Sequence, residues 1–531
     1  MIYKLIMVHP GKALPTYSVP NLTKLEVTQP QRDPTVDLLR DAVGAAFVIY
    51  QAYLTYRAYQ RLAHFDGPRW APFSRLWLLR NHVSGSQHLG LADVCYKYGP
   101  IARVGPNHLL TSDHNVYLRI TAARSAWTRS DWYRGWRFDG TVDGLLSERD
   151  DKKHNHLRSQ MALSYSGKEN PDLEERIDAR VMDMINLIQR KYVSTPGNLR
   201  VLDFCNLASY FSLDVISDIS FGEPFGCLEQ DRDVHSYMTM VEDSGKYILV
   251  AAVYPEIARL MERQWLRDLM GAPSPKDETG LGKLISLARE IVENRFKSEL
   301  PERMDMLGSF IRHGLTRNQA ELEVILQIVA GADTVAATFR ATMLHVITNP
   351  GIYNTLVSEI SQGVQSGAIS SPIRDSEGQQ LPYLQAVIRE GLRIFPPGGY
   401  ASKEAPPGGD TINGKHVPGG THLGIAIFAM QRQKHVFGDD ADLFRPERWL
   451  EASPEARSEM EKVTSLVFSG GKWTCLGKTV ANMELNKIFV ELLRRFDVAI
   501  VDPTRTWFSV NWSIFVNKEM FVRVTERKEQ L

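Results

Sequence analysis

The sequence of 531 residues has little cysteine and no excess of charge of either sign. Its four cysteines, Cys95, Cys205, Cys227 and Cys475, are too few and too scattered for a disulfide scaffold, and no two are spaced as CxxC for a structural zinc site. The 62 Lys and Arg residues equal the 62 Asp and Glu residues, which gives no support for nucleic-acid binding. With 43% hydrophobic and 23% charged residues, and no repeats or low-complexity tracts, the sequence excludes a disordered chain, a collagen-like fibre and a polytopic membrane protein.

Long hydrophobic runs are also scarce, and the one near the N-terminus is short. Residues 42–54 contain one strongly polar residue, Gln51, but fall short of the roughly 20 residues that a spanning helix needs. Together with flanking leucines and tyrosines, the run predicts a membrane-anchor helix at residues 38–59 after an N-terminal tail at residues 1–37. A buried amphipathic helix is the alternative. If the anchor spans the membrane, the arginines after it place its C-terminal side in the cytoplasm, and Asn21 in NLT becomes a glycosylation site.

The rest of the sequence, residues 60–531, has the pattern of one mainly helical domain with a minor β portion. Apolar residues recur at three- and four-residue steps through most of residues 150–361 and again in residues 478–496, as in amphipathic helices. Short segments bounded by Gly and Pro predict strands in residues 400–425, and residues 497–525 predict a terminal β unit. No shift in composition indicates a second catalytic domain.

The most informative stretch is residues 468–484, FSGGKWTCLGKTVANME. Its Gly470-Gly471 pair permits a tight turn, and Cys475 follows just before a helix with apolar periodicity. At that position the positive end of the helix dipole and free N–H groups would stabilise a thiolate. A single thiolate on one face of a flat ligand suits the axial position of a haem iron. An inert cysteine on a glycine-rich turn and a nucleophilic cysteine with a histidine partner are the alternatives.

The spacing F-x-x-G-x-x-x-C-x-G in this stretch resembles the haem-binding signature of the cytochrome P450 family, with Phe468, Gly471, Cys475 and Gly477 at the matching positions. The resemblance continues through further motifs, in the family's order, from about residue 60 to the end of the chain. It implies the fold of that family, with haem b as the cofactor and the Cys475 thiolate as the axial ligand of its iron.

Two further motifs, EGLR and FRPERWL, carry the resemblance upstream of the cysteine. Glu390 and Arg393 are three residues apart on one predicted helix, so their side chains share a face. In the resembled family, the arginine that matches Arg448 joins them in a buried charge network, which implies a role in locking the fold rather than in catalysis. Solvated surface ion pairs are the alternative for each motif taken alone.

A long helix is predicted from about Arg317 to Thr348, with a capping box that begins at Thr316. Its string AGADTV resembles the oxygen-activation motif of the family. The resemblance implies that Thr334 hydrogen-bonds bound dioxygen and that Asp333 relays protons from water. The alternative is a Thr334 hydroxyl that donates to the carbonyl four residues earlier, beside an exposed Asp333.

The propionates of a haem need cationic or hydrogen-bonding partners. His154 and Arg158 lie one helical turn apart and match the family's aromatic-x-x-x-Arg positions, with histidine in the aromatic position. Lys403 stands where the family often has arginine. The sequence departs from the family at Trp473, two residues before the cysteine, where arginine is usual and the indole offers only one N–H donor.

The strings SDWYRGWRFD and ELNKIFVELLRRFDV resemble filamentous-fungal members of the family related to pisatin demethylase. This resemblance implies an endoplasmic reticulum monooxygenase whose catalytic domain faces the cytoplasm and which inserts one oxygen atom from O2 into an apolar small molecule. A terpenoid, polyketide or alkaloid intermediate of fungal secondary metabolism is the expected substrate. No flavin or nicotinamide domain is visible, so NADPH electrons would arrive through NADPH-cytochrome P450 reductase, with cytochrome b5 as a further candidate partner. Lys472 and Lys478 near the cysteine are candidate docking residues.

Two other functions are compatible with a haem-thiolate protein. One is an isomerase or dehydratase that acts on a preoxidised substrate without a reductase, and the other is a non-enzymatic haem sensor or carrier. The Asp333–Thr334 pair argues against both, because neither function needs a proton relay to dioxygen.

Overall fold

Helices make up most of the described chain, which comprises residues 34–140, 142–297 and 303–527 of a computed structural model. The α-helices are α1 (Pro34–Arg61), α2 (Leu76–Val83), α3 (Gln87–Tyr98), α4 (His114–Thr121), α5 (Asp151–Tyr165), α6 (Leu173–Leu187), α7 (Phe204–Phe221), α8 (Cys227–Gln230), α9 (Tyr237–Val253), α10 (Pro255–Leu260), α11 (Gln264–Met270), α12 (Gly280–Phe296), α13 (Met306–Arg312), α14 (Arg317–Ile347), α15 (Pro350–Gln365), α16 (Asp375–Gly378), α17 (Pro382–Ile394), α18 (Ile427–Met430), α19 (Lys434–Phe437), α20 (Arg448–Glu451), α21 (Pro454–Ser465) and α22 (Lys478–Leu493). The strands are β1 (Ile101–Gly105), β2 (His108–Thr111), β3 (Thr128–Arg129), β4 (Val201–Asp203), β5 (Tyr400–Glu404), β6 (Asp410–Ile412), β7 (Lys415–Val417), β8 (His422–Ala426), β9 (Phe496–Ile500), β10 (Phe508–Asn511), β11 (Phe515–Lys518) and β12 (Phe521–Glu526). The prediction of a mainly helical protein with a minor β portion is confirmed.

The central helix of the core is α14, which runs for 31 residues. The predicted capping box is present, because the Thr316 hydroxyl accepts from the Gln319 N–H and the Gln319 side chain accepts from the Thr316 N–H. The helix packs against α7, whose residues are buried on all sides, and against α12 and α17. Within the described ranges, α14 is the one helix that is long and apolar enough to cross a membrane, and 67% of its apolar window is buried. It is therefore the core helix of the fold.

The β structure of the described chain forms small sheets. A five-stranded sheet has the order β1-β2-β8-β5-β3, with β2 and β8 parallel and the other neighbours antiparallel. A three-stranded sheet has the order β4-β12-β9, and two hairpins pair β6 with β7 and β10 with β11. The short β3–β5 pairing places Arg129 directly opposite Lys403. The two residues are 274 positions apart in the sequence. The sheet thereby brings two basic residues together at one place.

The first helix, α1, covers the segment predicted as a membrane anchor. Its apolar side chains are exposed along most of its length, including Leu38 and Phe47. Its C-terminal end is attached to the body of the protein, because the buried Arg103 guanidinium donates to the carbonyls of Ala58 and Tyr59, each at 2.9 Å. The anchor stays a prediction. The residues of the tail up to residue 33, and with them Asn21, lie outside the described residues.

Candidate active site

The loop before α22 presents Cys475 to the interior. The Cys475 N–H donates to the carbonyl of Phe468 at 2.8 Å, which closes the loop. Gly471 has a φ of +56°, and a Cβ there would lie 1.9 Å from the carbonyl oxygen of Thr121, so only glycine fits. At Gly477 a Cβ would lie 3.8 Å from Cys475 Sγ, an ordinary contact distance. Glycine is thus a steric requirement at Gly471, whereas at Gly477 it leaves space beside the sulfur.

The Cys475 side chain opens onto a cavity of about 340 Å³ whose walls include residues of α14 and α22. Of the four cysteines, all within the described ranges, it alone lines this cavity, and the other three are buried. Burial raises the pKa of the Cys475 thiol, whereas the N–H groups of Gly477 and Lys478 and the charge of Arg158 act in the opposite direction. The helix start therefore supplies the groups that favour a thiolate, and the thiol is accessible to a ligand in the cavity.

One wall of this cavity is basic. Arg129, His154 and Arg158 line it. The guanidinium groups of the two arginines donate to backbone carbonyls rather than to carboxylates, and Arg158 Nη1 lies 2.6 Å from the carbonyl oxygen of Thr474. Burial and the charge of Arg129 lower the pKa of His154 to about 3, so the imidazole is neutral. The guanidinium groups of Arg129 and Arg158 therefore line the cavity, and the hydrogen bonds named here do not pair them with a carboxylate.

Trp473 stands where the family usually has arginine, and its ring contacts the basic side chains of Lys403 and Arg129 and the neutral imidazole of His154. Lys403 Nζ lies 4.1 Å from the ring centroid, the Arg129 guanidinium carbon 4.4 Å, and the His154 ring centroid 4.3 Å. Such contacts stabilise cations by attraction to the face of the indole. Burial, with the charges of Arg129 and Lys472, lowers the pKa of Lys403 well below its ordinary value.

This set of donors fits a haem. The buried Trp473 Nε1 and Arg129 Nε have no hydrogen-bond partner among the described residues, and carboxylates of propionates are the acceptors that such donors need. Cys475 supplies a sulfur ligand in the same cavity. Apolar side chains complete the lining, among them Ile216, Leu326, Val335, Leu392 and Val480. Sequence reasoning missed Arg129, because only the pairing of β3 with β5 brings this residue to Lys403.

Residues of α14 form another wall of the cavity. Ala330, Gly331 and Thr334 line it, as the small-residue motif predicts. A Cβ on Gly331 would lie 2.6 Å from the Ile216 side chain, so this glycine is needed for the close packing of α14 on α7. The Thr334 hydroxyl donates to the Ala330 carbonyl at 2.8 Å. This is the hydrogen bond to the carbonyl four residues earlier that the sequence analysis gives as the alternative for this threonine.

Asp333 is directed away from this cavity and lines a second one of about 40 Å³. Its Oδ2 accepts a hydrogen bond of 2.8 Å from the Tyr237 hydroxyl. Burial raises the pKa of Asp333 to about 6, although the Tyr237 hydrogen bond and the charge of Arg340 oppose the shift. Asp333 and Thr334 therefore do not contact each other through their side chains, and a relay between them requires rotation of the carboxyl group.

Two further acids line the Cys475 cavity and were not predicted from the sequence. Glu323 accepts a 2.6 Å hydrogen bond from the Leu145 N–H, and burial raises its pKa to about 7. Glu484 on α22 is buried, its Oε2 has no hydrogen-bond partner in the described part of the chain, and burial raises its pKa well above the ordinary value. The only sequence signal for either residue is an acid within an apolar helical segment.

The structure brings Glu390, Arg393 and Arg448 into one buried network. Arg393 Nη2 and Nε lie 2.7 and 2.9 Å from the Glu390 carboxylate, and Arg448 Nε lies 3.0 Å from it. Trp449 Nε1 adds a hydrogen bond of 2.9 Å. Burial opposes ionisation of Glu390, but the hydrogen bonds and charges of both arginines outweigh it, so the pKa of Glu390 lies below its ordinary value. The network joins α17 to α20 at a distance from the Cys475 cavity lining.

The two lysines beside the cysteine loop differ in their contacts. Lys472 forms an ion pair with Asp151 and donates to the Ser125 carbonyl at 3.1 Å, so its ammonium group is held within the protein. Lys478 lies over the Phe468 ring, with Nζ 5.6 Å from the ring centroid. The ammonium group of Lys472 is thus the less available of the two.

Comparison with known proteins gives matches over most of the chain. The family model described as Cytochrome P450 matches residues 66–524. Cytochrome P450 monooxygenase ABA1 of Pyricularia oryzae is 40% identical over 478 residues, which cover 88% of this chain and 93% of that protein. Cytochrome P450 monooxygenase aba1 of Botryotinia fuckeliana is 38% identical over 459 residues, 86% of this chain and 90% of that protein. Pisatin demethylase of Fusarium vanettenii is 27% identical over 482 residues, 88% of this chain and 90% of that protein.

Proposed function

This chain belongs to the cytochrome P450 family of monooxygenases, and from this premise we propose that it inserts one oxygen atom of O2 into an apolar small molecule of fungal secondary metabolism. One observation carries the proposal. The Cys475 thiol opens onto a cavity whose wall also holds Arg129, Arg158 and the indole N–H of Trp473, which has no hydrogen-bond partner in the described ranges. A sulfur ligand and propionate partners in one cavity are the protein contacts that a haem-thiolate enzyme needs.

In this proposal Cys475 would hold the iron of haem b, and Arg129, His154 and Arg158 in the lining would be partners of its propionates, with Lys403 in contact with the Trp473 ring rather than in the lining. Haem bound there supplies the activation of O2. The glycine loop fixes the position of the sulfur, because the Cys475 N–H is held by a backbone carbonyl and a larger residue at position 471 would displace the turn. The apolar lining keeps bulk water away from the reaction.

Thr334 and Asp333 are the proposed proton-handling residues. The Thr334 hydroxyl lies on the wall of the Cys475 cavity, where it would donate to the oxygen substrate instead of to its own helix. Asp333, with a pKa of about 6, gains and loses protons close to neutral pH, which suits a residue that transfers protons repeatedly.

The proposed substrate is a terpenoid, polyketide or alkaloid intermediate. The Cys475 cavity supports an apolar substrate, because many of its lining side chains are aliphatic, among them Leu145, Leu146, Ile216, Leu326 and Val335.

We propose that electrons come from NADPH through NADPH-cytochrome P450 reductase, with cytochrome b5 as a further candidate partner, and that Lys478 contributes to docking. We also propose an endoplasmic reticulum location with the catalytic domain in the cytoplasm. The exposed apolar side chains of α1 support this location, because a helix with such a surface is stabilised by lipid.

The function is tested with the full chain reconstituted with reductase and NADPH, and with Cys475→Ala. We expect the wild type to show the ferrous–CO absorption band of a thiolate-ligated haem and Cys475→Ala to lose it. Cys227→Ala is the matched control, since Cys227 is buried outside the cavity, and it should retain the band. An unchanged band in Cys475→Ala would refute the ligand assignment.

The reaction class is tested by the requirement for electrons. A monooxygenase consumes NADPH and O2 and incorporates label from 18O2 into the product. An isomerase or dehydratase converts a preoxidised substrate, such as an organic peroxide, in the absence of NADPH and reductase, and that result would replace the proposed reaction.

A further inference from the structure

The first residue of α9, Tyr237, is the hydrogen-bond partner of Asp333. Its hydroxyl lies 2.8 Å from Asp333 Oδ2 and 3.5 Å from the carbonyl oxygen of Val329, and its side chain is buried. The tyrosine therefore contacts α14 at the motif that contains Thr334. Neither sequence periodicity nor the AGADTV motif indicates this contact, because 96 residues separate the two partners.

The contact determines which cavity receives the carboxyl group. Thr334 lines the Cys475 cavity, whereas Asp333 lines the second cavity together with Met240 and Gly245 of α9. Adjacent residues of a helix point in different directions, so Asp333 requires a partner on the α9 side to fix its side chain there. Tyr237 supplies that partner.

The partner is a neutral hydroxyl rather than a cation. Arg340, the basic group whose charge acts on Asp333, donates instead to the Cys205 carbonyl at 2.8 Å and to Ser209. Burial raises the pKa of both Tyr237 and Asp333. A hydrogen bond from the phenol satisfies the carboxyl group without placing a second charge in the interior.

We propose that Tyr237 is a positioning residue of the oxidation, whose hydroxyl fixes the Asp333 carboxyl on the α9 side and defines the starting geometry from which Asp333 passes a proton to Thr334. In that transfer the Asp333 carboxyl gives one proton to the Thr334 oxygen, the Thr334 hydroxyl proton passes to the oxygen substrate in the Cys475 cavity, and Asp333 regains one proton from water, so protons balance over a cycle. The geometric part of the inference is independent of the reaction, and the proton-transfer part rests on the proposed monooxygenase function.

The geometric part is tested by infrared spectroscopy of the full-length protein at about pH 5, below the pKa of Asp333 of about 6. The C=O stretching band of the protonated Asp333 carboxyl is identified by its loss in Asp333→Asn. In Tyr237→Phe, which removes only the hydroxyl, we expect this band to move to higher wavenumber because a donated hydrogen bond is lost. A band at the wild-type position in Tyr237→Phe, or a spectrum that Asp333→Asn leaves unaltered, overturns the inference.

A second variant covers the case in which Tyr237→Phe does not fold. Replacement of Tyr237 by 3-fluorotyrosine keeps the ring and the hydroxyl and makes the hydroxyl a stronger donor. We expect the Asp333 band to move to lower wavenumber, opposite to the shift in Tyr237→Phe. The absence of a shift contradicts the contact.

The proton-transfer part is tested by the product formed per NADPH consumed. We expect Tyr237→Phe to lower this ratio by about tenfold, with a matching rise in peroxide, because a misplaced proton donor loses efficiency by such factors. The fluorotyrosine variant should stay within twofold of the wild type. The matched control is Tyr353→Phe, which removes a 2.9 Å hydrogen bond to Asp497 far from the cavities and should retain the wild-type ratio.

The two parts fail separately. An infrared shift with an unchanged product ratio contradicts the positioning role while leaving the monooxygenase function intact. Absence of NADPH-dependent oxidation in the wild type itself refutes the proposed function and, with it, the proton-transfer part of the inference.

Discussion

Arg158 Nη1 donates a hydrogen bond of 2.6 Å to the carbonyl oxygen of Thr474, the residue before Cys475. The bond connects α5 to the cysteine loop across 316 residues of sequence. Arg158 also lines the cavity onto which Cys475 opens. A residue that resemblance assigns to the haem propionates thus has a second role, which is to hold the loop that carries the sulfur.

The double role of Arg158 predicts the result of Arg158→Lys. Lysine retains the charge but lacks the planar fork of N–H donors, so it does not hold the loop and a propionate at once. We expect a several-fold loss of bound haem, measured as Soret absorbance relative to protein absorbance. Arg190→Lys is the matched control, because Arg190 donates to the Glu229 carbonyl at 2.9 Å outside the cavity, and it should bind haem as the wild type does. Equal haem content in both variants would contradict the role of Arg158.

A second prediction concerns the buried carboxylate of Glu390. Glu390→Gln leaves the buried Arg393 without its counter-charge and leaves Arg448 with Asp440 alone, and we expect a loss of about 3–5 kcal/mol in the free energy of unfolding, measured by urea titration. The control is Glu451→Gln, which removes an exposed ion pair with Arg445 and should cost at most about 1 kcal/mol. Similar losses in the two variants would show that the buried network does not lock the fold.

The sequence predicted the features that are local in the chain. The capping box at Thr316 and the helix that follows it were identified because their signals lie within a few residues of each other. The cysteine loop was identified for the same reason, and the structure adds the cause of its glycine requirement, which is the carbonyl of Thr121. Arg129 and Tyr237 were missed, because sheet pairing and helix packing bring them to the site from distant parts of the chain.

The prediction for Asp333 and Thr334 shows a different limit. The motif names both residues, but residues adjacent in a helix are about 100° apart around its axis, so they face different cavities. The carboxyl direction is set by Tyr237 on another helix, which no pattern within α14 reveals. The resemblance therefore predicts which side chains are present more reliably than it predicts their contacts.

A third prediction concerns removal of the proposed anchor. A chain that begins at residue 55 keeps the Ala58 and Tyr59 carbonyls that Arg103 binds, so we expect it to fold and to pass from the membrane fraction to the supernatant. A chain that begins at residue 62 lacks both acceptors and so loses two hydrogen bonds of the Arg103 guanidinium, which should lower its thermal midpoint. Membrane retention of the first chain equal to that of the full chain would exclude α1 as the anchor.

A fourth prediction concerns the Thr334 hydroxyl. In Thr334→Ala we expect a several-fold rise in peroxide per NADPH, because the hydroxyl beside Ala330 and Gly331 is lost and the remaining threonine of α14 in the lining, Thr338, donates to the carbonyl of residue 334 at 2.9 Å. Thr348→Ala is the control, since it removes a hydroxyl with the same bond to the carbonyl four residues earlier, at 2.6 Å, at the exposed end of α14. If both variants retain wild-type coupling, the Thr334 hydroxyl serves only its own helix.

The last prediction follows from the buried Glu323. Burial raises its pKa from the ordinary 4.5 to about 7, so between these values the unfolded chain ionises while the folded protein keeps the proton. The contribution of Glu323 to the free energy of unfolding is therefore greatest below about pH 4.5. It falls by up to about 3 kcal/mol as the pH rises to about 7. Glu323→Gln is uncharged and retains an oxygen for the Leu145 N–H, so its unfolding free energy should increase relative to the wild type across this interval. Urea titrations at several pH values measure the difference, and parallel curves for the two proteins would show that Glu323 is ionised in the folded state.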